Sequence, residues 1–134
     1  MATQHLGSGR DSVHIEGSTH GLYVSLTSGS DASFRTMKDL FMLALSLGHS
    51  QGRKAPLKSR REIFRWPVFS VQEDVPVLRS VAITETGDPA ILADQDHLLT
   101  IAEEYANAGI AIIQREVVDA PGTPLDNLVR LLLL

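Results

Sequence analysis

Cysteine is absent, and its absence removes disulfides, thiolate metal sites and cysteine nucleophiles together. Aromatic residues make up only 5% of the chain, so Trp66 and Tyr105 read first as core anchors rather than as binding groups. No apolar run approaches the roughly 20 residues needed to cross a bilayer, and the opening residues lack the apolar segment of a secretory signal. The expectation is a cytoplasmic chain without membrane contact. The closing Leu131-Leu132-Leu133-Leu134 is too short to span and reads as a last helix docking into the core. No Gly-x-Ser-x-Gly elbow occurs, and neither Gly7-Ser8-Gly9-Arg10 nor the stretch from Gly48 to Arg53 is a phosphate-binding loop.

Its 134 residues are the size of one ordinary domain, long enough to bury a core without a covalent staple. The net charge of −4 conceals an asymmetry: residues 1–72 carry +4 and residues 73–134 carry −8. Six of the twelve basic residues lie between Arg53 and Arg65. Arg53, Lys54, Lys58, Arg60, Arg61 and Arg65 can sit on phosphates or on an acidic protein surface. The plainer reading is a solvated loop pairing with the acidic second half.

Residues 1–18, rich in Gly, Ser, Thr and His without periodicity, read as a flexible leader, with one helical domain over 19–134. His20 to Leu26 reads as a short helix or turn. Thr36 with Asp39 forms a capping signal, and Leu40, Leu43, Ala44 and Leu47 make one apolar face that ends at Gly48. A basic loop follows from Gln51 to Glu62. Pro76 opens a helix that stops at Gly87. Asp94 or Asp96 caps the next one, for which Asn107-Ala108-Gly109 is the stop. Residues 110–118 fit a strand or a helix equally. Thr123-Pro124-Leu125-Asp126 opens a final helix. The fold class expected is all-α: a compact bundle of four to five short helices with at most one short strand or hairpin.

Asp94, Asp96, His97, Glu103 and Glu104 are the only candidate metal cluster. Residues seven apart on a helix are separated by about 10.5 Å of rise, too far to share one ion. They read as a solvated acidic face, with no metal, no cofactor and no catalytic set. Three of the five histidines lie in the leader or at its edge, and His49 suits a helix C-terminus.

Four segments together resemble one family. They are Phe34-Arg35-Thr36-Met37-Lys38-Asp39 with Ala44-Leu45-Ser46-Leu47-Gly48; Gly52-Arg53-Lys54-Ala55-Pro56-Leu57; Glu62-Ile63-Phe64-Arg65-Trp66-Pro67-Val68-Phe69; and Ile101 through Ile110, containing Glu103-Glu104-Tyr105-Ala106-Asn107. Their order and spacing are similar to those of the DNA phosphorothioation-dependent (Dnd) system-associated protein 4 family over about residues 20–132. Ala102 and Ala108 depart from its pattern, standing where Phe and Gly are expected. The resemblance implies a small bacterial protein linked to systems that place sulfur in the DNA backbone and restrict unmodified invading DNA, an anti-phage defence setting. It brings no catalytic residues. The expected function is a non-enzymatic accessory component that binds a larger protein of the modification-restriction system. The basic residues, together with Glu103, Glu104, Tyr105 and Asn107, are the candidate contacts. A DNA-binding module using residues 53–65 is the alternative, and a hydrolase using Asp96, His97 and Glu104 is a third.

Overall fold

The computed structural model describes residues 9–133. Among them five α-helices and two strands are found: β1 (Ser12–Glu16), α1 (His20–Thr27), α2 (Met37–Ser50), β2 (Arg60–Arg65), α3 (Asp74–Thr86), α4 (Gln95–Ile113) and α5 (Pro124–Leu132). The chain is mostly helical, as expected, and the strands pair antiparallel into a small sheet, with Glu16 opposite Arg60 and Val13 opposite Phe64.

β1 corrects the reading of residues 1–18 as a leader. Residues 1–8 lie outside the described residues, but Val13 and Ile15 are buried and alternate with less buried neighbours. Val13-His14-Ile15-Glu16 carries the period-2 pattern of a half-buried strand. Five residues give that pattern little weight until a distant partner supplies the other half of the ladder. The partner comes from the basic segment, so Arg60, Arg61 and Arg65 stand on a strand rather than in a loop.

The core is built on the crossing of α2 and α4. α2 turns Leu40, Phe41, Ala44, Leu45 and Gly48 inward, and α4 buries Leu98, Leu99, Ala102, Tyr105, Ala106, Gly109 and Ile110. The two backbones nearly touch. A Cβ added at Gly109 would lie 1.7 Å from the carbonyl oxygen of Ala44, and one at Gly48 would lie 2.1 Å from that of Tyr105. Both glycines read as helix stops in the sequence, and both are contact points inside their helices instead, Gly48 in the last turn of α2 and Gly109 within α4. α2 runs on to Ser50, and Gly52, at φ +65°, follows in the left-handed region. α4 runs to Ile113 and unwinds through a single π-turn over Gln114–Val118. The β-branched residues at 110–113 are helical because Ile110, Ile112 and Ile113 are buried, and packing outweighs their weak local preference.

The caps behave as their residue types dictate. The Thr36 hydroxyl accepts from Asp39 N at 3.1 Å, Asp94 accepts from His97 N at 3.1 Å, and Thr123 accepts from Asp126 N at 3.2 Å. α3 ends at Gly87 in the left-handed conformation, φ +69°. α5 docks through Asn127 and Leu128, but Leu132 and Leu133 are 54% and 80% exposed, so the closing leucines do not all reach the core.

Candidate functional site

The charge asymmetry of the sequence resolves into contacts that run from the basic half to the acidic half. Lys38 on α2 meets Asp74 on α3 at 2.8 Å, and Lys54 meets Glu85. The deepest contact is at Glu103, whose side chain is fully buried on α4. One of its oxygens accepts from Arg10 Nη1 at 2.8 Å and from the His14 backbone N–H at 2.7 Å. The other accepts from Arg60 Nη1 at 2.8 Å. A buried carboxylate is retained only when its lone pairs are filled by charged and neutral donors, and these three fill them. Burial works against the charge of Arg10, but its hydrogen bonds and charge interactions with Glu103 and Asp96 outweigh this and raise its pKa. The Glu103 carboxylate therefore fastens both strands of the sheet to α4.

Glu103 is thus not a surface contact residue, and the same holds for most of its neighbours. The buried Tyr105 donates its hydroxyl to Glu85 at 2.5 Å, and its ring stacks edge-on against His49. The hydrogen bond to Glu85, with burial second, pushes the Tyr105 hydroxyl up to about 12. Glu85 in turn is lowered, first by its hydrogen bond from Lys54 and then by that from Tyr105. The Asn107 amide donates to the Ala55 carbonyl at 3.1 Å, and the Glu104 carbonyl accepts from Ala55 N at 3.0 Å. The segment proposed from sequence as a partner contact is an internal brace, and what it braces is the basic loop.

That loop is held at both ends. Arg53 N donates to the Gly48 carbonyl at 2.9 Å, and the Glu16 carboxylate accepts from Lys58 N at 2.6 Å and Ser59 N at 3.0 Å. All six basic candidates are exposed. They divide by partner: Lys54 is held by Glu85, Arg60 by Glu103 and Arg65 by Asp11, whereas Arg53, Lys58 and Arg61 make no ion pair among the described residues. Three free cations on an anchored loop and strand are the candidate interface. Trp66 is half-buried and packs against Phe69, so it belongs to the aromatic cluster with Phe41 and Phe64.

Sequence reasoning missed Arg10, His14 and Asp96 as members of one network because it set the first two in a leader. The alternation in β1 was the available signal. Asp94 caps α4 and Asp96, which bonds Arg10 at 2.5 Å, stays exposed, so of the acidic face only Glu103, which is buried, departs from the solvated reading. Among the described residues no three His, Asp or Glu side chains come together as ligands of one ion, and no helix is long and apolar enough to cross a membrane.

The fold is thus a small helical domain whose acidic residues clamp a two-stranded sheet and leave an anchored basic segment exposed. The chain belongs to the DNA sulphur modification system-associated protein 4 family, whose model matches residues 13–134. No curated protein and no solved structure matches it.

Proposed function

We propose that this protein is a non-catalytic accessory component of a DNA sulphur modification system and that it acts by docking on an acidic surface of a larger protein of that system. The reading rests on the family and on one observation: Arg53 and Lys58, on a loop fixed at both ends, and Arg61, on β2, are exposed and make no ion pair among the described residues. A loop backbone already held in place loses little conformational entropy on binding, and complementary charge steers encounter and fixes register. The neighbouring carboxylates that chemistry would need are occupied in holding the fold together. Anti-phage defence is the setting that such a role would serve.

Direct DNA binding is the second reading, carried by the same three residues. Three cations support only a shallow salt dependence, with a slope of about −2.7 in log–log form. The acidic second half also opposes long-range attraction of a polyanion.

Affinity capture of the tagged chain from its host, with and without nuclease, separates the readings. A large protein retained after nuclease supports docking, and the triple variant Arg53→Glu/Lys58→Glu/Arg61→Glu should lose at least 90% of it while keeping the wild-type melting temperature. Capture that disappears with nuclease transfers the loop to DNA. Capture untouched by the triple variant removes the loop from the interface.

A further inference from the structure

Four of the large apolar side chains that stay exposed gather at α5: Leu125 at 59%, Val129 at 48%, Leu132 at 54% and Leu133 at 80%. At about 100° per residue they share an arc roughly 100° wide. The core-facing side of the same helix is separate, made by Asn127, Leu128 and the half-buried Leu131. Asn127 holds it down, donating its amide to the carbonyls of Val117 at 3.0 Å and Ala120 at 3.2 Å. α5 is therefore a docked helix that is apolar on two faces, only one of which is covered by the described residues.

We propose that a second copy of this chain covers the other face, with the two α5 helices packed antiparallel about a twofold axis. Charge is the first argument. Asp126 and Arg130 lie on one edge of the exposed stripe, and a twofold brings the same edge of both helices to one side of the contact. Antiparallel packing centred near residue 128 sets Asp126 of each copy beside Arg130 of the other and Leu125 near Leu132. The stripe is self-complementary in sign and in register. A parallel twofold would instead put the two charged edges on opposite sides of the contact, where neither meets its complement.

Area is the second argument. The four side chains expose on the order of 400 Å² of apolar surface. A standard interface buries about 800 Å² per partner, a little over half of it apolar. One stripe thus supplies the apolar part of a modest, reversible dimer, and Asp126, Arg130 and the flanking turns supply the polar rim.

Sedimentation equilibrium of the full chain from about 5 to 500 μM tests this. Twice the chain mass at high concentration is expected, with Val129→Lys/Leu132→Lys staying monomeric while keeping its circular dichroism. Asp126→Arg and Arg130→Asp should each weaken association at least tenfold, since each places like charges opposite one another. Mixing those two single variants should restore a one-to-one heterodimer, which loss of helix stability alone could not produce. A chain that is monomeric throughout, a lysine double variant that still dimerises, or a mixture that fails to associate would each overturn the proposal.

Discussion

Replacing Gly109 by alanine tests the central claim about how this fold is held together. On an ordinary helix the change is favourable, because alanine is the better helix former by about 1 kcal/mol. Here the new Cβ would lie 1.7 Å from the Ala44 carbonyl oxygen, and real Cβ atoms essentially never approach closer than 3.0 Å. The atom in the way is helix backbone, which cannot swing aside as a flexible side chain would. α2 and α4 must then separate by more than 1 Å over the face that buries Leu40, Phe41, Ala44 and Leu45. A gap of 0.5–1 Å already forfeits a quarter to a half of each dispersion contact. Overpacking of this kind costs about 1–3 kcal/mol or more, and the lost contacts add to it. After the propensity gain the net destabilisation should be about 2–4 kcal/mol. For a chain of this length that lowers the melting temperature by about 7–14 °C. Gly21→Ala is the control: it lies on α1 with nothing within 4 Å of the added atom, so it should hold or raise the melting temperature. Calorimetry of both variants decides the matter. A Gly109→Ala protein that melts at or above wild type would refute the close crossing.

Two further outcomes follow from the charge network and from the tyrosines. Glu103→Gln keeps the shape but leaves Arg10 and Arg60 without their shared anion. Urea titration at neutral pH should show a loss of about 2–4 kcal/mol, whereas an unchanged midpoint would mean that the carboxylate does not fasten the sheet. The chain has two tyrosines, Tyr23 and Tyr105, and both are raised, Tyr23 by burial and Tyr105 to about 12 by its bond to Glu85 and by burial. A folded pKa above the unfolded value of about 10 stabilises the native state below pH 10, and that contribution is lost as pH rises from 10 through 12. Phenolate absorbance at 295 nm should therefore stay low at pH 10.5 in the native protein and rise with unfolding. Tyr105→Phe should flatten the alkaline decline in stability, and a half-titrated native protein at pH 10 would contradict the contact with Glu85.

The sequence by itself determined the features that are local in cause. The cap residues Thr36, Asp94 and Thr123, the left-handed Gly87 and the apolar face of α2 follow from side chains acting within one turn of their own backbone. The family resemblance was legible for a similar reason: its motifs keep their order and spacing along the chain. Tertiary structure decided whatever depends on a distant partner. Gly48 and Gly109 look like stops because glycine ends helices, and only the crossing turns the missing Cβ into room for a neighbouring backbone. Val13 and Ile15 look like leader because five residues cannot make a sheet until β2 arrives. Glu103 looks solvated beside Glu104 because charge is normally solvated, and only the donors that converge on it, Arg10 just before β1, the His14 N–H on β1 and Arg60 on β2, let that carboxylate leave water.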